Sequence, residues 1–364
     1  MFYKSLIKPL LFRFDPENIH DLFITLGGIL GSNPLSRALT GVAYDFQEHH
    51  HSVTMPISKT VDGITYRTPV LLAAGFDYNG RLVRILPRVG FGGEEIGSVT
   101  ARPCAGNPRP RLMRLPRSGS IIVNKGLKND GVDEIIRRLK KLRKPSASQS
   151  GRDFAPKSPD FVIGVSIART NDSASVPIEA GIEDYCYSFR RLNQENVGDY
   201  YTLNISCPNA FGAEAFTDPM LLDRLLASIK KIPCSKPVYV KMPINLPWPQ
   251  FDSLLKIILR YGLHGVVISN LNKNYNSLEV RAEAPKEYAG GLSGKPCRAL
   301  SNELIKRTRQ AYGEHLTIIG VGGVDSPETA MEKFEAGADL IQLITGMIYE
   351  GPGLIGKIAG SLVH

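Results

Sequence analysis

The sequence has few cysteines, and none is placed for a disulfide framework or a zinc site. The five are odd in number, widely separated and include no Cys-x-x-Cys pair: Cys104, Cys186, Cys207, Cys234 and Cys297. Disulfide frameworks and zinc sites use closely spaced cysteines. No cluster of histidine, cysteine or carboxylate residues has metal-ligand spacing, and His49-His50-His51 is interpreted as an exposed loop. We therefore predict a protein of a reducing compartment that binds no metal.

The sequence also lacks an apolar run long enough to cross a bilayer. The longest near the N-terminus, from Leu22 to Leu30, is shorter than the roughly 20 residues that a spanning helix needs. Pro9, Asp15 and Glu17 interrupt what would otherwise be a signal-peptide core. We therefore expect an intracellular protein that begins at Met1 and is either cytoplasmic or peripheral on the inner face of a membrane.

Negative charge is in deficit, since the 364 residues carry a net charge of +9. The excess indicates an anionic partner, which could be a phosphate, a carboxylate, a membrane surface or a nucleic acid. The basic run from Arg137 to Lys144 is interpreted as a solvated helix face, because it lacks the aromatic and base-reading residues of a nucleic-acid site. We expect no nucleic-acid partner.

Eight short apolar segments predict strands of a parallel sheet, because they are continuously apolar rather than alternating. They are Val70–Ala74, Glu94–Val99, Phe161–Ile167, Tyr201–Ser206, Val238–Met242, Gly265–Ser269, Thr317–Val321 and Leu340–Thr345. Helical patterns separate most of them, namely Asp130–Leu142, Asp218–Ile232, Gln250–Tyr261, Ser301–Tyr312 and Ser326–Ala336. This alternation predicts an α/β fold, a (β/α)8 TIM barrel, with an open doubly wound sheet as the alternative.

Residues 1–50 lie outside this repeat and are predicted to form an N-terminal helical extension before a barrel of residues 51–364. Two helices are expected, over Tyr3–Phe14 and Asn18–Leu30. They could lie on a membrane surface with their apolar face down, or pack on the barrel as a cap, and composition leaves both open. The Ser-, Pro- and Lys-rich segment Lys144–Pro159 predicts a flexible loop.

Chemistry in such a barrel gathers at the carboxyl ends of the strands. The seventh predicted strand ends in Gly320-Val321-Gly322-Gly323 and the eighth in Thr345-Gly346. Glycines there let backbone N–H groups approach a phosphate, with a helix N-terminus behind it. Lys241, at the end of the fifth strand, is predicted to point inward, and a buried lysine needs an anionic or electron-rich partner such as a reduced flavin ring.

The fourth predicted strand runs into Asn204-Ile205-Ser206-Cys207-Pro208-Asn209. The two amides can hydrogen-bond a ring rich in oxygen and nitrogen, and the thiolate of Cys207 can remove a proton or act as a nucleophile. We predict that Cys207 is catalytic because it stands between these amides at a strand end. The other four cysteines are assigned to structure.

Several motifs, in order along nearly the whole chain, resemble those of the dihydroorotate dehydrogenase family. They are Ala73-Ala74-Gly75-Phe76-Asp77, Ile96-Gly97-Ser98-Val99-Thr100, Gly106-Asn107-Pro108-Arg109-Pro110-Arg111-Leu112, Asn204–Asn209, Gly290-Gly291-Leu292-Ser293-Gly294, Ile319–Gly323 and Tyr349-Glu350-Gly351-Pro352. The opening Asp15-Pro16-Glu17…His20 is similar to the N-terminal extension of the membrane-associated, quinone-linked class.

The resemblance implies an FMN oxidoreductase of pyrimidine biosynthesis, with Cys207 as the base that removes the C5 proton of dihydroorotate while a hydride passes from C6 to flavin N5. It implies an FMN site made of Ala74, Gly75, Ser98, Ser166, Asn204, Lys241, Ser269, Gly294, Gly323 and Thr345. The implied substrate-binding residues are Tyr78, Lys125, Asn129, Asn204, Asn209 and Asn270. His20 and Arg114 match positions that line the quinone tunnel, so a quinone is the expected electron acceptor.

Three positions depart from the family pattern. The quinone-linked class usually has serine at the position of Cys207, and cysteine is the base of the soluble classes. Tyr78 stands where the family has a substrate-holding lysine, and the substrate loop reads Val123–Asn129 without its usual first asparagine. Lys125 could supply the missing charge from another direction, or the substrate could differ.

The alternatives follow from these departures. A related FMN enzyme would act on a different cyclic amide or carboxylate. An aldolase-type barrel would instead form a Schiff base on Lys241, and a non-enzymatic binding barrel would not need Cys207.

Overall fold

The computed structural model describes residues 3–44, 57–143, 161–211 and 215–362 of the chain. The predicted loop Lys144–Pro159, the histidine run His49–His51 and the predicted boundary between residues 50 and 51 lie outside the described residues.

Eight parallel strands close into a barrel, in chain order, which confirms the predicted (β/α)8 fold. The strands are β1 (Val70–Leu72), β2 (Gly93–Val99), β3 (Val162–Ile167), β4 (Tyr200–Asn204), β5 (Val238–Met242), β6 (Gly265–Ile268), β7 (Thr317–Val321) and β8 (Leu340–Leu343). β8 pairs with β1 through Ile341 opposite Val70, which closes the circle. An open sheet is therefore excluded. Several predicted strands run past the observed ends, because their last residues turn into the site.

Within the described residues, eight helices surround the barrel, one after each barrel strand. They are Leu86–Val89, Val132–Arg143, Ile178–Gln194, Pro219–Ile229, Trp248–Arg260, Arg298–Tyr312, Pro327–Glu335 and Leu354–Ser361. Shorter helical turns are Ser173–Ser175, Ala215–Thr217, Leu278–Arg281, Lys295–Cys297, Gly313–His315 and Thr345–Glu350. The five predicted helices are confirmed within a few residues. Local sequence explains where two of them begin: Asp218 accepts hydrogen bonds from two backbone N–H groups, and Ser326 forms a capping box with Thr329.

The strands are buried on both faces, which accounts for their continuous apolar sequence. A two-stranded hairpin, Lys59–Val61 with Ile64–Tyr66, packs across the amino end of the barrel. Its Tyr66 is buried against Tyr200 and Tyr239, and Asp62 accepts a 2.6 Å hydrogen bond from the Tyr239 hydroxyl. The amino end is therefore plugged, and the carboxyl end remains for a ligand.

A three-stranded antiparallel sheet, absent from the sequence prediction, stands over the carboxyl end. Ser120–Val123 is its central strand, flanked by Leu112–Leu115 and Gly291–Gly294. The strands are only four residues long and come from two distant insertions, so alternation gives almost no signal for them. The sheet carries Arg114 and Gly294 to the site.

The N-terminal extension packs on this carboxyl end as a cap. It contains a π-helical turn (Tyr3–Ile7), a short α-helix (Lys8–Leu11), α1 (Pro16–Ser32) and α2 (Pro34–Tyr44). The second predicted helix is confirmed as α1, whereas the first is shorter than predicted. Asp15 caps α1 by accepting from the backbone N–H groups of Glu17 and Asn18, both at 2.9 Å.

Much apolar surface of the extension remains exposed. On α1 and α2 the exposed residues are Leu22, Phe23, Leu26, Ile29, Leu30, Leu35, Leu39 and Val42. Within the described ranges, no helix combines the length and apolarity needed to cross a membrane. The extension therefore packs on the barrel, as one of the two predicted arrangements has it, and contact of its exposed apolar face with a membrane stays a prediction.

Candidate active site at the carboxyl end of the barrel

One cavity of about 530 Å³ runs from the strand ends to the helices of the extension. Its lining includes every predicted site residue except Ser166 and Asn129. Ser166 lies behind the wall, where its hydroxyl is 2.7 Å from the hydroxyl of Ser98. Asn129 is buried in its own loop, where its amide donates to the Thr100 hydroxyl at 2.7 Å and to the Leu127 carbonyl at 2.8 Å. A direct ligand contact is thus supported for neither residue.

The amides at the ends of β4 and β6 are fixed by a hydrogen-bond network. Asn204 donates to the Ser98 hydroxyl at 2.7 Å. Asn270 donates to the Asn204 side-chain oxygen at 3.1 Å and to the Ser206 hydroxyl at 3.0 Å. Ser206 in turn donates to the Lys241 carbonyl at 2.7 Å. These hydrogen bonds fix the two asparagine side chains before a ligand binds, so less side-chain conformational entropy is lost on binding.

Lys241 is buried and lines the cavity, as predicted. Burial lowers the pKa of its ammonium group, while the nearby charges of Glu95 and Cys207 oppose that fall. Glu95 lies inside the barrel, where one carboxylate oxygen accepts from Thr202 at 2.9 Å and from Gln342 at 3.0 Å. A partner that gathers negative charge would stabilise the charged form of Lys241.

Cys207 is half-buried in the loop that follows β4. This loop is tied to its neighbours by amides: Asn209 donates to the Val123 carbonyl at 2.8 Å, and Asn107 donates to the Asn209 carbonyl at 2.9 Å. Cys207 lines the cavity. The loop that carries it is held in place by the neighbouring loops.

The residues present fit a flavin mononucleotide. The Ser269 hydroxyl is buried at the cavity and has no hydrogen-bond partner among the described residues, so it offers an unused polar contact. Gly322 and Gly323 have φ angles of 112° and 78°, in the region that favours glycine. A Cβ on Gly346 would lie 2.0 Å from the Val324 carbonyl oxygen. Gly346 therefore lets the loops that follow β7 and β8 pack closely, and both of these loops line the cavity.

The extension forms the other end of the cavity. His20 hydrogen-bonds the Phe76 carbonyl through Nε2 at 2.7 Å. Arg114 donates to the Phe14 carbonyl at 2.8 Å, and its guanidinium lies 4.6 Å from the centre of the Phe12 ring. Burial lowers the pKa of Arg114. These contacts give the outer end of the cavity an apolar wall with two polar side chains.

Tyr78 and Lys125 meet on one side of the cavity. The Lys125 ammonium lies 5.2 Å from the centre of the Tyr78 ring and 2.9 Å from a carboxylate oxygen of Glu17 on α1. The second contact was not predicted, because the sequence analysis placed Glu17 in the motif Asp15-Pro16-Glu17…His20 without assigning a partner to its side chain.

Comparisons with known proteins identify the family of the chain. The family model described as dihydroorotate dehydrogenase matches residues 57–364. The chain belongs to the dihydroorotate dehydrogenase family. A relative named dihydroorotate dehydrogenase (quinone), from Salinispora arenicola, is 34% identical over 99% of each chain. One of the same name from Aliivibrio fischeri is 34% identical over 97% of each chain.

Solved structures of dihydroorotate dehydrogenase are also similar. The crystal structure of the DHODH of Eimeria tenella in complex with ferulenol superposes with a TM-score of 0.80 at 25% identity, over 96% of this chain and 90% of that one. The ligand-free form gives a TM-score of 0.80 at 26% identity, over 96% and 94%.

The predicted family and the predicted class of enzyme, a flavin-dependent oxidoreductase, are confirmed. This family membership decides against a Schiff-base aldolase on Lys241 and against a non-enzymatic barrel. The sequence prediction missed Glu17, Asn107 and Asn171, which contact other loops rather than the cavity centre. Glu17 and Asn107 stand in family motifs quoted above, and this position is the signal that could have drawn attention to them.

Proposed function

We propose that the chain oxidises dihydroorotate to orotate in pyrimidine biosynthesis, with FMN as cofactor and a quinone as electron acceptor. The observation that carries the proposal is the convergence of Cys207, Lys241 and three asparagine side chains on one cavity that also reaches a glycine-lined strand end. The names of the relatives, dihydroorotate dehydrogenase (quinone), support the same substrate and acceptor.

FMN would be held along one side of the cavity. Its ring would contact the residues that end β1, β2 and the strands from β4 to β6: Ala74, Gly75, Ser98, Asn204, Lys241 and Ser269. Its phosphate would meet Gly294, Gly323 and Thr345, where a second cavity of about 120 Å³ opens to Lys8 and Lys295. When bound, FMN supplies an acceptor for the hydride that leaves C6 of the substrate.

Cys207 removes the proton from C5 of dihydroorotate. The thiolate is a competent base near neutral pH because an ordinary thiol titrates only about 1.5 pH units above 7. Asn204, Asn209 and Asn270 hydrogen-bond the substrate ring, and the network through Ser98 and Ser206 keeps two of these amides oriented. The Lys241 ammonium would stabilise negative charge on the flavin ring when that ring is reduced.

The quinone would enter between the helices of the extension and reach His20 and Arg114. The exposed apolar faces of α1 and α2 surround this entrance and would rest on the membrane that holds the quinone. The protein would then be a peripheral membrane enzyme whose electron acceptor arrives from the lipid bilayer.

The substrate and the base are tested together by rapid anaerobic mixing. We expect dihydroorotate to reduce the flavin of the parent protein, and Cys207→Ala to retain FMN while reduction slows by about 10²–10⁴-fold, the usual contribution of a positioned base. Cys207→Ser should fall between them, because its hydroxyl can still take up the proton in the transition state but, unlike a thiol, does not ionise near neutral pH. Equal reduction rates in the parent and in Cys207→Ala would refute the role of Cys207.

Membrane docking is tested with vesicles. Ile29 and Leu39 are 61% and 63% exposed, so the double variant Ile29→Glu/Leu39→Glu should fold normally yet bind phospholipid vesicles at least tenfold more weakly. The control is Leu278→Glu, at a residue that is 82% exposed and lies on the short helix Leu278–Arg281, outside α1 and α2. Equal vesicle binding by the double variant and the control would contradict docking through α1 and α2.

A further inference from the structure

Glu17 of α1 is a buried carboxylate surrounded by cations from the barrel. Its side chain is only 2% exposed. Four cationic groups lie within 4 Å of it: Lys125 at 2.9 Å, Arg109 at 3.4 Å, and Arg111 and Lys128 at 3.7 Å each. All four belong to the segment between β2 and its helix, which contains the substrate loop. The extension thus inserts one negative charge into a positive part of the site.

Lys125 differs from the other three cations because it also lines the cavity. Its side chain is 6% exposed, against 33% for Lys128 and 52% for Arg109. Arg111 does not line the cavity, and it donates to the Ala105 carbonyl. Lys125 is therefore the cation that can meet both Glu17 and a bound ligand.

The charge of Lys125 depends on Glu17. Burial lowers the pKa of Lys125, and the positive charge of Lys128 lowers it further. Glu17, through the hydrogen bond and its charge, raises the pKa of Lys125 again, with a smaller contribution from Asp21. The titratable and charged groups that face Lys125 are Glu17, Asp21, Tyr78, Arg109, Arg111 and Lys128. The pKa of Tyr78 is raised by burial, so its hydroxyl stays neutral.

Without an ionised Glu17, the neighbours of Lys125 would be mostly cations in a buried setting. Of these cations, Lys125 is the one that would release its proton. Arg109 and Arg111 stay protonated, and Lys128 is better solvated than Lys125. The extension would then control the charge of the substrate pocket.

We propose that Glu17 is a positioning residue that keeps Lys125 protonated and directed at the cavity, where Lys125 binds the carboxylate of the substrate. The extension thereby completes the substrate pocket in addition to forming the quinone entrance. That the anion is dihydroorotate or orotate rests on the proposed function. The link between Glu17 and Lys125 does not.

The first test needs no substrate. Trace acetylation with acetic anhydride modifies only neutral amines, so the pH at which Lys125 begins to react, read by peptide mass spectrometry, reports its protonation. We expect Glu17→Gln to increase the acetylation of Lys125 about tenfold at pH 8 relative to the parent. Glu17→Asp, which keeps the charge, should stay near the parent. The control Glu183→Gln removes an exposed carboxylate that pairs with Arg190 and should change nothing.

The second test follows the binding of orotate to the FMN-loaded protein through the flavin absorbance. We expect Glu17→Gln to weaken orotate binding about tenfold at pH 8 and much less at pH 6, where Lys125 is protonated again. Glu17→Gln/Lys125→Arg, with a guanidinium that stays charged, should lose this dependence on pH.

The outcomes separate the two claims. Unchanged acetylation of Lys125 in Glu17→Gln overturns the inference, as does an orotate affinity that stays equal to that of the parent at both pH values. A parent that binds no orotate contradicts the proposed function and the role of Lys125 as carboxylate ligand. If the parent binds no orotate but Glu17→Gln still increases the acetylation of Lys125, that increase supports the control of Lys125 by Glu17.

Discussion

The loop that carries Cys207 is fastened by an asparagine that does not line the cavity. The Asn171 side-chain oxygen accepts a hydrogen bond from the backbone N–H of Phe211 at 2.5 Å. Its side-chain amide donates to the Asn107 side chain at 3.1 Å and to the Gly126 carbonyl at 2.9 Å. Asn171 thus joins the loops that follow β2, β3 and β4, and Asn171→Ala should loosen the loop of Cys207.

The magnitude follows from these three contacts. A hydrogen bond contributes about 1 kcal/mol net, and part of this is recovered from water because the loops are only half-buried. We therefore expect Asn171→Ala to favour opening of the loop by about 2 kcal/mol. Since 1.4 kcal/mol corresponds to a factor of ten, the open population should rise by roughly 10–30-fold.

The assay is the rate at which iodoacetamide alkylates Cys207, read by peptide mass spectrometry. The rate should rise at least about tenfold in Asn171→Ala if opening limits access to the thiol. The matched control is Asn193→Ala, which removes a surface amide that donates to the Pro233 carbonyl, and it should leave the rate unchanged. An unaltered alkylation rate in a folded Asn171→Ala protein would refute the idea that Asn171 holds this loop.

Two further predictions concern the cofactor end and the barrel wall. Gly346→Ala should purify with little flavin and bind FMN more than tenfold more weakly in a fluorescence titration. The new Cβ would lie 2.0 Å from the Val324 carbonyl oxygen and would push apart the loops that carry Gly323 and Thr345. A flavin content equal to that of the parent would argue against the proposed phosphate site. Burial lowers the pKa of Lys333 to about 7, whereas a lysine in the unfolded chain titrates near 10.4. Between these two pH values the unfolded chain binds one proton more at this residue than the folded protein does. The free energy of unfolding therefore rises with pH in this window, by at most about 1.4 kcal/mol per pH unit. In urea unfolding, the free energy of unfolding of Lys333→Met minus that of the parent should therefore fall as the pH rises through that window. A difference that stays constant with pH would contradict the lowered pKa of Lys333.

Much of the barrel could be predicted because its strands are short, continuously apolar and separated by helical patterns. The boundary errors have a physical cause: Ser269 and Thr345 follow strand residues but line the cavity, and Ser206 already belongs to the loop that carries Cys207. The antiparallel sheet over the barrel could not be predicted, because its partners Leu112–Leu115 and Gly291–Gly294 are distant in sequence and hydrogen-bond through an intervening strand.

The candidate site was predicted mainly through family motifs, and most of its predicted residues line one cavity. Position in a motif did not reveal which side chains face a ligand. Ser166 and Asn129 do not line the cavity, and their side chains hydrogen-bond Ser98 and Thr100 instead. The pairing of Glu17 with Lys125 depends on how α1 docks on the barrel, and such a tertiary contact leaves no local pattern in the sequence.

The measurement that tests the central claim most directly is anaerobic mixing of the purified, FMN-loaded protein with dihydroorotate while the flavin absorbance is followed. We expect the flavin band to bleach rapidly, orotate to form in equal amount, and addition of a quinone to restore the band. A flavin that stays oxidised with dihydroorotate, yet is reduced by another cyclic amide or carboxylate, would contradict the proposed substrate.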